Sequence, residues 1–184
     1  GIAPFTVLSC DNLRSNGHVA HEAFVGYARA LDADLAAWID ANVTFPCAMV
    51  DRITPGVDDA TRKALNKGSG LDDELPVLAE DFSQWVLEDK FCNGRPALEK
   101  VGVEFVDDVA GYEQVKVRML NAAHLLLGSA GLLLGYRYAH ETVQDADLER
   151  LVNAYWMQDA MPQIDAPEGV DLDAYRQRLL SRFS

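Results

Sequence analysis

Polar and apolar positions along the chain follow two regimes that meet near residue 107. In the first, short β-branched and aromatic runs alternate with helical spacing. "PFTVLSCDN" starts apolar over Phe5 to Leu8 and turns polar at Ser9 to Asn12, which predicts a buried strand ending in a loop. In open α/β sheets, ligands sit at that edge. Helical spacing over Gly17 to Leu31 predicts one helix, and "DADLAAWIDANV" predicts a second, short one capped by Asp32. Strand character returns over Ala48 to Ile53 and stops at Pro55. "GVDDATRKALNK" then reads as a polar helix and "KGSGLDDEL" as a surface turn. "PVLAEDFSQWVLEDKF" and "GVEFVDD" mix short β segments with the turn "CNGRP". Beyond residue 108 strand alternation all but vanishes. The spacing there predicts four helices, near 109–127, 128–143, 145–160 and 171–183, the last capped by Asp171. The expected fold is α/β followed by all-α, mostly helical overall, with a boundary at 107 and no internal repeat.

One helical stretch is unusual. "EQVKVRMLNAAHLLL", residues 113–127, sets Lys116, Asn121 and His124 into an apolar background. On an ideal wheel Val115, Met119, Ala122, Ala123 and Leu126 form one apolar stripe. Glu113, Lys116, His124 and Asn121 share an arc of about 140° away from it, interleaved with Leu120 and Leu127. A solvated face rarely alternates leucines with Lys, Asn and His so regularly, and the pattern suits a polar cluster facing a partly dry cleft. Spacing alone leaves two readings open, because polar clusters on amphipathic helices also occur as solvated cations and satisfied packing residues.

Composition narrows the partners. Sixteen basic against 29 acidic residues give a formal net charge of −13. Such a chain repels phosphate backbones and anionic lipid, so neither nucleic acid nor a membrane is an expected partner. Cys10, Cys47 and Cys92 are far apart and odd in number, which fits a reducing compartment and no metal cluster. No basic segment precedes an apolar run at the start, and the most apolar window, Leu125 to Tyr136, is about half a membrane span. A cytoplasmic location is expected.

The polar set could carry chemistry. Burial removes the solvation of an ammonium, brings a lysine's pKa toward neutrality and lets it exchange a proton with an alcohol. Asn and His side chains can donate hydrogen bonds to an oxygen gaining negative charge. Glu113, one turn before Lys116, could relay protons or pair with it. Carbonyl reduction and alcohol oxidation run on these parts without a metal, given a hydride carrier.

"KVRMLNAAH" resembles the Lys-x4-Asn-x2-His signature of the polyol-specific long-chain dehydrogenases, the mannitol dehydrogenase family. "FTVLSCDNLRSNG", "NVTFPCAMVDRITP", "QWVLEDKFCNGRPALEKVGVEFVDDV", "GYRYAHET" and "GVDLDAYRQRLLSRFS" are similar to the same family, in order and over essentially the whole chain. "FPCAMVDRITP" and "QWVLEDKF" followed by "NGRP" are most similar to the branch that interconverts D-mannitol and D-fructose with NAD. The reductases that interconvert D-fructuronate and D-mannonate share most motifs and are the alternative. The resemblance implies Lys116 as general acid/base, Asn121 with Asn12 as the hydrogen-bonding pair for the developing alkoxide, and His124 on a substrate hydroxyl. It implies Val50 and Asp51 beside the nicotinamide, with Asp51 also helping to position substrate, and Glu113 on the proton path. NAD is the implied cofactor, with NADP possible, the substrate is a polyol or keto-sugar, no metal is used, and the protein is a monomer. Cys10 and Cys47 read as small buried fillers, and His18, His21 and His140 as surface or interface residues.

The resemblance also implies what to expect of each half. Residues 1–107 correspond to the late part of a Rossmann-type cofactor domain without its Gly-rich fingerprint. Residues 108–184 correspond to the first part of an all-helical C-terminal substrate domain. "KGSGL" follows a helix and lacks the fingerprint spacing, and the glycines of "GSAGLLLGY" read as sites of close helix approach. The chain starts Gly-Ile-Ala-Pro, without Met, and stops at "LLSRFS", as an internal piece would. Alone it is expected to show negligible dehydrogenase activity. A different class stays open: a non-catalytic helical binding module that carries inherited motifs.

Overall fold

Aspartates start several of the helices. In the computed structural model, which describes residues 2–184, Asp32 accepts hydrogen bonds from the Asp34 and Leu35 amides at 2.8 and 3.2 Å and opens helix α2, Ala33–Asn42. Asp58 caps α3, Asp59–Ser69, through the Thr61 amide, and Asp171 caps α8, Leu172–Phe183, through Asp173 and Ala174. Each carboxylate satisfies amide groups that the first helical turn leaves without a partner.

The chain divides into one compact unit ending at Phe105 and a second spanning Val106–Ser184. The first holds α1, Asn16–Leu31, with α2, α3 and a three-stranded sheet of order β1–β2–β3. Strand β1 is Ala48–Asp51, β2 is Gln84–Glu88 and β3 is Glu104–Val106. β1 and β2 run antiparallel, pairing Val50 with Trp85 and Asp51 with Gln84. Ala48, Leu87 and Val103 form the sheet's core, and Val25, Ala28 and Ala36 bury the α1–α2 contact. The strand expected over Phe5 to Leu8 is reduced to a single parallel bridge, Thr6 to Thr44, and Phe5 is exposed. A β-branched run becomes a strand only where neighbours complete its ladder, and here one bridge does so.

The second unit is all helix. Its first element is one continuous helix over Ala110–Leu134, built from α4, Ala110–Val115, a π segment at Lys116–Asn121, and α5, Ala122–Leu134. The boundary expected at 127/128 is therefore absent. The helix instead stops at Gly135, whose φ of 89° lies in the left-handed region that glycine favours. Of the three glycines in "GSAGLLLGY", only Gly131 marks a close approach. A Cβ there would meet the Thr142 side chain, with Cγ2 at 2.9 Å, whereas Gly128 faces open space. Helices α6, Ala139–Val143, and α7, Ala146–Ala154, follow. α7 continues as a second π segment, Tyr155–Ala160. By length and composition the Ala110–Leu134 helix could cross a membrane, a test that core helices also pass. Here it lends Val115, Met119, Leu120, Ala123 and Leu127 to a core completed by Val152, Trp156, Tyr175, Leu179 and Phe183.

Those core residues differ from the expected stripe. Leu120 and Leu127 are buried in place of Ala122 and Leu126, which are only half-buried. Val115 and Leu127 stand about 120° apart on an ideal wheel, yet both enter one core. The π segment explains this: closing the bond five residues back in place of four unwinds the helix locally and carries the apolar face round with it.

Candidate active site

In the α/β unit the candidate residues lie on two neighbouring pieces of backbone. Asn12 is exposed in the loop between Ser9 and Ser15. Val50, half-buried, and Asp51, 4% exposed, occupy the carboxyl end of β1. Sequence reasoning missed the residue that joins them, Asn16, which is 1% exposed. Its side-chain amide donates to the carbonyls of Ser9 at 3.2 Å, Asp11 at 2.9 Å and Ala48 at 2.9 Å, and its oxygen accepts from the Ala48 amide at 2.9 Å. One side chain thus ties the Asn12 loop to the strand that carries Val50 and Asp51. Beside it, a Cβ on Gly17 would lie 2.7 Å from the Pro46 carbonyl carbon and closer still to the Phe45 oxygen. The signal was an Asn-Gly pair opening a helix, where such a pair normally marks a turn.

Asn16→Asp should lower the stability of the full-length protein by about 2–3 kcal/mol, because the variant sets a carboxylate against three carbonyl oxygens inside the fold. Chemical denaturation measures this, and an unchanged midpoint would show that the loop is held by something else.

In the helical unit Glu113, Lys116, Asn121 and His124 all lie on the continuous helix. Lys116 is 7% exposed, Glu113 and Asn121 are half-buried, and His124 is exposed. The π segment runs from Lys116 to Asn121 and closes with the Ala122 amide on the Val117 carbonyl, five residues back. In an α-helix Asn121 would stand about 140° round from Lys116. A bond closed five residues back narrows that angle and brings Asn121 toward the Lys116 side of the helix. The His124 ring stacks on Phe183 with centroids 5.8 Å apart and planes 19° from parallel.

The remaining expectations divide. Cys47 is buried, but Cys10 is exposed, because it lies in the loop of Ser9 to Asn12. His18 and His140 are exposed. His21 is half-buried and makes a 2.8 Å contact with Asp40.

With this geometry in hand, comparison with known proteins is specific. Residues 1–100 match the mannitol dehydrogenase Rossmann domain and residues 108–184 the mannitol dehydrogenase C-terminal domain. The chain belongs to the mannitol dehydrogenase family, and it is a Rossmann-type α/β unit followed by a helical one. It is 56% identical to the polyol:NADP oxidoreductase of Gluconobacter oxydans (strain 621H) over 98% of this chain and 37% of that protein. It is 47% identical to the D-mannonate oxidoreductase of Escherichia coli (strain K12) over 100% and 38%. Among solved structures, the ternary complex of Pseudomonas fluorescens mannitol 2-dehydrogenase with NAD and D-mannitol superposes with a TM-score of 0.86 at 50% identity. That match covers 97% of this chain and 36% of that one. The chain therefore spans less than two-fifths of the length of these relatives.

Proposed function

We propose that this chain carries the acid/base half of an NAD-dependent, metal-independent polyol dehydrogenase that interconverts D-mannitol and D-fructose. One observation carries the reading: a lysine buried at the start of a π turn that ends in an asparagine. Burial strips water from the ammonium and so eases its exchange of a proton, and π turns are rare and concentrate at functional sites.

In this reading Lys116 gives a proton to the carbonyl oxygen during reduction and takes it from the alcohol during oxidation. Asn121 donates a hydrogen bond to the same oxygen as it becomes an alkoxide, stabilising charge where it develops, and the family resemblance gives Asn12 the role of its companion donor. Glu113 lies on the proton path from Lys116 to solvent, and His124 holds a second hydroxyl. Family membership implies a nicotinamide cofactor, and the residues present suit only one end of it. In this reading Val50 and Asp51, at the carboxyl end of β1, border the nicotinamide, and Asp51 helps to orient substrate. A pyrophosphate needs a glycine-rich strand-to-helix turn, and the β1-to-α3 connection holds one glycine, Gly56. When bound, the cofactor supplies the hydride.

Two similarities compete over detail. The Escherichia coli relative is named for D-mannonate, which favours a hexuronate reductase as the second reading, and the Gluconobacter relative is named for NADP. The deciding experiment assays the full-length protein with D-fructose, D-fructuronate, D-mannitol, D-sorbitol, D-arabinitol and D-mannonate, each with both nicotinamide cofactors. The expected result is the highest kcat/KM for the fructose–mannitol pair with NAD. A higher value for fructuronate and mannonate would move the protein to the hexuronate branch. No turnover with any pair would leave the non-catalytic module.

A further inference from the structure

The π turn between Lys116 and Asn121 needs help from outside the helix. Once the Ala122 amide bonds five residues back, a return to four-residue spacing passes over the next carbonyl. Two side chains reach carbonyls in this stretch. Tyr155 donates its hydroxyl to the Arg118 carbonyl at 2.8 Å, and the fully buried Trp156 donates its indole N–H to the Met119 carbonyl at 2.8 Å. Burial pushes the Tyr155 phenol above its ordinary range, so it keeps the proton it donates. Tyr155 and Trp156 themselves open the second π segment, closed by the Met161 amide on the Trp156 carbonyl. Trp156 also stacks on Phe183, with centroids 6.5 Å apart and planes 11° from parallel, and Phe183 stacks in turn on His124.

From this arrangement we infer that Tyr155 and Trp156 are positioning residues for the reaction: they hold the turn that brings Asn121 toward the Lys116 side of the helix, and through Phe183 they set the plane of His124. The inference rests on the roles proposed above for Lys116, Asn121 and His124. An α-helix with every bond made internally is the default for any helical stretch, and a wider turn persists only where external donors satisfy what it leaves exposed. Neither residue touches the reacting atoms. Their effect is geometric, and small misplacement of an acid/base group is enough to slow turnover.

The test uses the full-length protein with four variants. Tyr155→Phe deletes one hydroxyl and nothing else, and Trp156→Phe deletes the indole N–H while keeping an aromatic ring. Val152→Ala disturbs the same core without touching either carbonyl, and Lys116→Ala reports on the underlying reading. Tyr155→Phe and Trp156→Phe should each lower kcat by about 10- to 100-fold. They should also shift the pH profile of kcat and leave KM within about twofold. Amide hydrogen exchange over residues 120–123 should speed up as the turn loses its outside bonds. Val152→Ala, even with a larger loss in Tm, should keep the original pH profile. Original pH profiles and exchange rates in both aromatic variants, beside an inactive Lys116→Ala, would overturn the inference alone. An active Lys116→Ala would instead overturn the reading on which it rests.

Discussion

Replacing Lys116 with alanine should lower the turnover of the full-length protein by about 10²–10⁴-fold, the scale of a lost general acid/base. The loss should fall equally on kcat and kcat/KM, because the proton transfer belongs to the transition state and not to substrate binding. Two companions separate chemistry from packing. Lys116→Met keeps most of the side-chain volume without an amine, and should be as inactive as alanine. Lys116→Arg keeps the charge but cannot release a proton at working pH, so it should also fail. Steady-state assays across the pH range, read beside thermal melts, check all three. Undiminished turnover in the alanine or methionine variant would take Lys116 out of the mechanism.

The second large effect is expected at Gly17. Within a helix, glycine to alanine usually stabilises by about 0.5–1 kcal/mol. Gly26, in the interior of α1 with nothing near its missing Cβ, should follow that rule. Gly17, at the start of the same helix, should reverse the sign and lose about 3 kcal/mol. Its added methyl would meet the Phe45 and Pro46 backbone, which cannot rotate aside as a side chain can. Denaturant midpoints of the two variants side by side give the answer. A neutral Gly17→Ala would mean that the chain ahead of β1 yields more than its geometry implies.

These cases show where the sequence speaks and where it is silent. The caps at Asp32 and Asp171 were legible because a capping carboxylate acts on amides two or three residues away, and local chemistry leaves a local trace. The change from mixed to all-helical character near residue 107 was legible for the same reason. The stop at Gly135 was missed because Gly128, Gly131 and Gly135 look alike in sequence, and only backbone conformation and the Thr142 contact tell them apart. The π segment was invisible for a subtler reason. A single-residue phase shift shows only as a drift of the apolar face, and Leu120 and Leu127 were read as intruders on a polar face when they mark that drift. At the candidate site, Lys116, Asn121 and His124 stood out by type and spacing. Asn16, Tyr155 and Trp156 did not, because each reaches a backbone group more than 30 residues away, Ala48, Arg118 and Met119 in turn, and nothing in a side chain's identity announces which distant carbonyl it serves.

The widened turn has a practical consequence for protein engineers. Transplanting the Lys-x4-Asn-x2-His motif onto a straight designed helix would hold its lysine and asparagine about 140° apart. A faithful graft would have to bring a second helix with an aromatic pair at Tyr155 and Trp156, so the smallest portable unit of this motif is a pair of helices.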